Sequence, residues 1–231
     1  MMRAAWAIVT GPSRGIGRAT ALCLAQRGLR LALVGRPSAE LDQARELCLQ
    51  QGAAEARVFA ADLADARSTH EASRALLALD APPGVIVHNA GVVQRAEIES
   101  LTEAAWNEQV QVNLSAPFLL TRALLPAMRR AGRGRIRCVG SISSTLGTAK
   151  LSAYCATKWG IVGFMKSLAA ELSDSGLMSA AVLPGSVATR MLEGSDFPAR
   201  MSAEEVAATL TFLALDAPLS HNGAVVEMFG V

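Results

Sequence analysis

Aromatic residues are scarce in this chain, at 4% of 231 residues, and tyrosine occurs once, as Tyr154. Charge of either sign is also lacking in excess, with a net of +2. A nucleic-acid partner would usually show itself as a basic excess or stripe, so none is expected. There are only four cysteines, Cys23, Cys48, Cys138 and Cys155, with no C-x-x-C pair and no histidines at metal-binding spacing. Buried free thiols in a reducing cytoplasm are therefore expected, with no disulfide framework and no metal site. No apolar run reaches the length of a membrane span. The stretch Ala5–Val9 already reads as a core strand and leaves no room for a signal peptide. A cytoplasmic protein without a membrane partner is expected.

What the chain has in quantity is small and aliphatic residues, 51% apolar in all. Short apolar runs alternate with longer amphipathic stretches. The runs Ala5–Val9, Arg30–Val34, Ala56–Ala60, Val85–His88, Arg135–Val139, Ser179–Leu183 and Ala224–Met228 read as strands covered on both faces. The segments Ile16–Arg27, Ala39–Gln51, Arg67–Leu79, Glu103–Arg130, Ala153–Ser175 and Ala203–Leu215 read as helices. The last opens on Ser202 and Glu205, spaced as a capping box. This alternation predicts an α/β fold: one doubly wound domain over residues 1–231, with a seven-stranded, mainly parallel sheet and helices on both faces.

Three places carry chemistry. The first strand runs through Thr10 into Gly11, Ser13, Arg14, Gly15, Ile16 and Gly17, and so into a helix. Glycines at such a turn let backbone N–H groups and a helix N-terminus face an anion, usually a pyrophosphate. The second strand ends at Gly35-Arg36, without the acid that NAD-preferring sites place there for the ribose hydroxyls. Arg14 and Arg36 together suit a 2′-phosphate, and NADP(H) is the expected cofactor. Finally, Tyr154 and Lys158 lie four residues apart on one helix face. A free phenol has a pKa of ~10 and is a poor acid at neutral pH, but a neighbouring ammonium favours the phenolate. Ser141 closes the fifth strand and brings a hydroxyl to the sheet's carboxyl edge.

The glycine turn, Asn89-Ala90-Gly91, Asn113, Ser141, Tyr154 with Lys158, and Pro184-Gly185 occur in that order. This series resembles the short-chain dehydrogenase/reductase family, a Rossmann-fold family, and looks closest to its 3-oxoacyl-reductase-like branch. The resemblance spans nearly the whole chain, from Val9 to about Gly230. It implies a small-molecule carbonyl substrate and a catalytic set of Asn113, Ser141, Tyr154 and Lys158. Tyr154 would protonate the carbonyl oxygen as hydride arrives from NADPH. Lys158 would tune the tyrosine and hold the nicotinamide ribose. Ser141 would hold the substrate oxygen, and Asn113 would support a proton-relaying water. Asp62 and Leu63 would contact adenine, although Asp62 is also a helix-cap candidate. Asn89, Ala90 and Gly91 would let the backbone approach the cofactor. Pro184, Gly185, Val187 and Thr189 would meet the carboxamide.

The resemblance further implies a homodimer or homotetramer, through Glu103–Arg130, Ala153–Ser175 and Ala224–Phe229. Two departures stand out. His88 replaces a frequent asparagine and reads as structural. Only Arg190–Met201 follows Thr189 where relatives carry a longer lid, so an open pocket and relaxed specificity, or closure by another subunit, are expected. Arg129, Arg130 and Arg133 read as complementing their helix's C-terminal dipole. An alcohol dehydrogenase and a non-catalytic cofactor-binding regulator remain as alternatives.

Overall fold

In the computed structural model the described residues are 5–230, so both ends of the expected 1–231 domain lie outside them. Seven strands form one sheet. They are β1 (Trp6–Thr10), β2 (Arg30–Gly35), β3 (Glu55–Ala60), β4 (Pro83–His88), β5 (Gly134–Val139), β6 (Leu177–Pro184) and β7 (Val225–Met228). Their order is β3-β2-β1-β4-β5-β6-β7, and every pairing is parallel. The helices are α1 (Gly15–Gln26), α2 (Ala39–Gln50), α3 (Ala66–Leu77), α4 (Glu103–Val110), α5 (Ala116–Ala131), α6 (Ser152–Glu171) and α7 (Ala203–Leu215).

The nearly unbroken apolar strands follow from this layering. Ala7, Val9, Leu31 and Leu33 point into one core layer, with residues of α1, α2 and α7. Trp6, Ile8, Ala32 and Val34 alternate into the other, with residues of α3, α5 and α6. Caps define the helix starts. Ser38, Asp65 and Thr102 accept from backbone N–H groups of α2, α3 and α4, and Ser202 and Glu205 form the expected capping box.

Two helices depart from the sequence reading by more than two residues or by an interruption. Glu103–Arg130 is a continuous helical run, but a π turn at Gln111–Ser115 separates α4 from α5. Helix α6 stops at Glu171 rather than Ser175 because the chain turns through left-handed Asp174 and Gly176. A Cβ on Gly176 would lie 2.3 Å from the Gly132 carbonyl, which explains the glycine there. Arg129 and Arg130 lie in the last turn of α5, and Arg129 also donates to the Glu171 carbonyl at the end of α6.

The chain leaves β1 for β2 and β3 on one side and returns to β4 on the other. The crevice outside the carboxyl ends of β1 and β4 is the switch point at which open sheets of this kind bind ligands. Among the described residues no helix is long and apolar enough to cross a membrane.

Candidate active site

A cleft of about 1030 Å³ runs along this edge, from Arg14 and Arg36 at one end to Tyr154 at the other. Its floor is tied together by Thr10 and Asn89. The Thr10 hydroxyl accepts from the N–H groups of Asn89 and Ala90, each at 3.0 Å. The Asn89 amide donates to the carbonyls of Thr10 and Gly11, at 3.0 and 3.1 Å. These four bonds lock the ends of β1 and β4 side by side.

The glycine turn fits a dinucleotide in three respects. Gly11 and Gly15 take left-handed angles (φ 65° and 53°). No side chain caps Arg14 at the start of α1, and no acid occupies its first turn, so the helix's positive end is left to an anion. A Cβ at Gly17 would sit 2.2 Å from the Gly11 carbonyl and 2.3 Å from the Asn89 amide. Gly17 thus holds the turn's shape from behind and does not line the cleft.

Of the sequence-predicted cofactor residues, Gly11, Ser13, Arg14, Gly15, Ile16, Arg36, Asp62, Leu63, Asn89, Ala90, Gly91, Pro184, Gly185, Val187 and Thr189 all line the cleft. Asp62 does not cap α3, a task taken by Asp65. Its carboxylate accepts instead from the Ala64 N–H at 3.0 Å.

At the other end, Tyr154, Lys158 and Ser141 line the same cleft. The Lys158 ammonium stands 5.5 Å from the centre of the Tyr154 ring and donates to the Val139 carbonyl at 2.9 Å. The Ser141 hydroxyl accepts from the Ser143 N–H at 3.1 Å, capping the short turn Ile142–Ser144. Asn113 lies behind the cleft wall. Its amide oxygen accepts from Val92 N–H, and its amide nitrogen donates to the Val92 carbonyl and the Thr157 hydroxyl. All three bonds staple the loop after β4 to the π turn and α6. Asn113, Lys158 and Met191 converge on Gly91, where a Cβ would lie 3.3, 3.7 and 3.8 Å from them.

His88, beneath Asn89, is buried. Its Nε2 lies 2.8 Å from the Thr121 hydroxyl and its Nδ1 has no partner. Burial pushes its pKa down to about 3, so the ring is neutral.

Sequence reasoning missed several lining residues. Glu40, in the first turn of α2, brings an acid to the cationic end. Its carboxyl is held below its ordinary value by its own backbone N–H and the Ser38 hydroxyl, then by Arg190 and Arg14. Arg190 adds a third guanidinium. The short lid does not leave Tyr154 bare: a turn at Arg190–Leu192 brings Met191 Sδ to 4.0 Å from the tyrosine oxygen. Arg95 donates to the Met191 carbonyl at 3.2 Å. The only sequence signal for this was the closeness of Arg190 and Met191 to Thr189.

Fold and cleft together define a dinucleotide-dependent enzyme built on a doubly wound sheet. The short chain dehydrogenase family model matches residues 5–197, and the chain belongs to that family of NAD(P)-dependent oxidoreductases. It is 30% identical to the 3-oxoacyl-[acyl-carrier-protein] reductase of Escherichia coli, over 97% of this chain and 95% of that protein. It is 34% identical to D-threitol dehydrogenase of Mycolicibacterium smegmatis, over 94% and 88%. A 3-oxoacyl (acyl-carrier-protein) reductase from Agrobacterium tumefaciens, solved with NADP bound, superposes with a TM-score of 0.92 at 26% identity, over 99% and 94% of the two chains.

Proposed function

We propose that this chain reduces a ketone or aldehyde to an alcohol, with NADPH as reductant and Tyr154 as the proton donor. The observation that carries the reading is the shared cleft: Tyr154, Lys158 and Ser141 at one end, and Arg14, Arg36 and the glycine turn at the other. NADPH, when bound, supplies the hydride. Ser141 donates its hydroxyl hydrogen to the substrate oxygen, since its own lone pair already serves Ser143. The Tyr154 O–H gives its proton to that oxygen as the carbonyl carbon gains the hydride, and solvent reprotonates the phenolate. Lys158 holds its ammonium 5.5 Å from the centre of the Tyr154 ring, where a cation and a ring attract. Asn113 acts one layer out, holding the loop that carries Gly91.

Three guanidiniums against Glu40 and Asp62 support the phosphorylated cofactor. A cytoplasmic homodimer or homotetramer belongs to the same reading. The test is NADPH oxidation with a panel of ketones, aldehydes and 3-oxoacyl thioesters. Turnover on one class supports the proposal, whereas NADPH binding without any turnover favours a regulatory role. Arg36→Asp should raise the Kd for NADPH at least ~10-fold while leaving that for NADH within a few-fold. Equal NADH and NADPH affinity in the unaltered protein would contradict the reading of the arginines.

A further inference from the structure

The half of the cleft around Tyr154 is walled by hydrocarbon. Leu151, Tyr154 and Cys155 form a small buried cluster with Val93 packed against it. Met191 reaches the tyrosine oxygen from the facing turn. Leu146, Phe197 and Met191 line the same cleft yet remain 54%, 54% and 40% exposed. Large apolar side chains left to water at the mouth of a cleft lose that exposure only when something apolar covers them.

Polar side chains are outnumbered in this half; Ser143, Thr148 and Ser186 add hydroxyls to the lining, and the two charged groups nearest the apolar wall already have partners. The Glu108 carboxylate accepts from the Gln94 amide at 2.9 Å. Arg95 is turned to the Met191 carbonyl. The Ser141 hydroxyl keeps one hydrogen to give, which the carbonyl oxygen uses. Among the described residues lining the cleft, the one carboxamide side chain is Asn89, whose nitrogen is spent on the Thr10 and Gly11 carbonyls. A polyol brought here would set hydroxyls against Leu146, Leu151, Met191 and Phe197, and each hydroxyl left unpaired there opposes binding.

We infer that the substrate is a ketone whose carbonyl is flanked by a hydrocarbon skeleton rather than a hydroxylated one. This rests on the carbonyl-reductase reading, and it separates the chain from the relative named for a polyol. Leu146 and Phe197 are then specificity-determining side chains that close over the skeleton.

The test pairs alkyl cyclohexanones with the ketose erythrulose, using the unmodified protein. NADPH oxidation should favour the cyclohexanones at least ~100-fold in kcat/KM. Saturation-transfer NMR on the NADP-loaded protein reads binding without turnover and should show the cyclohexanone alone. Leu146→Ser, which touches no catalytic group, should cost about tenfold in kcat/KM for the cyclohexanone and nothing for NADPH binding. Faster turnover of erythrulose, or its saturation in place of the cyclohexanone's, overturns the inference while sparing the reductase reading. Cyclohexanone binding with no turnover of it, or of any ketone, aldehyde or 3-oxoacyl thioester in the wider panel, overturns the reductase reading instead and leaves only the cleft's preference for hydrocarbon.

Discussion

At the residue scale, His88 shows how a side chain beneath the site sets a condition on the whole protein. Its ring is neutral and folded in with a pKa of about 3, against 6.5 for a free imidazole. Above pH 6.5 folded and unfolded chains bind the same number of protons there. Below it the unfolded chain takes up a proton that the folded one refuses, so stability falls as the pH drops from about 6.5 towards 3. The slope from this one ring is at most about 1.4 kcal/mol per pH unit. Urea unfolding of His88→Asn and the unaltered protein, at pH 7 and pH 4.5, should show the variant losing less stability. Parallel losses would mean that the ring does not titrate as its burial dictates. Its structural role was legible in the sequence, because a lone histidine ending an apolar strand has few other options. Arg137 was not legible in this way. It sits fully buried in β5, donating to the carbonyls of Ile136, Met178 and Leu213 with its Nε unpaired. An alternating Arg-Ile-Arg pattern carries no sign that a guanidinium will serve as a carbonyl clamp beneath α7.

At the scale of elements, the π turn between α4 and α5 matters most. Apolar periodicity identified one long helix, but a single wide turn does not disturb a 3.6-residue pattern enough to be seen. The available signal was Pro117, which has no N–H to give the Asn113 carbonyl that an α-helix would pair with it. The wide turn carries Asn113 to both Val92 and Thr157. Asn113→Ala leaves the Val92 backbone groups without those partners and should lower stability by about 1–3 kcal/mol, with turnover falling further than NADPH affinity. Unchanged unfolding midpoints would show that the staple is dispensable. The strands and the glycine turn were readable because each motif ends a strand at the same sheet edge. Glu40, Arg95, Arg190 and Met191 were not, since only topology brings their loops together.

At the scale of the molecule, Trp106, Phe118 and Trp159 are exposed on α4, α5 and α6. These are the helices expected to pair two copies, and sedimentation should give two or four times the 24.1 kDa chain mass. A monomer at micromolar concentration would contradict this. The proposed reaction turns on a single chemical event, the transfer of a proton from Tyr154 to a carbonyl oxygen as the carbonyl carbon gains hydride. The most direct measurement is made on Tyr154→Phe, with NADPH binding and NADPH oxidation followed on the same preparation. The ring still packs on Leu151 and Val93, so NADPH should bind within a few-fold of the unaltered protein while ketone reduction falls at least ~100-fold. Reduction within a few-fold of normal, with binding intact, would remove Tyr154 as the proton donor.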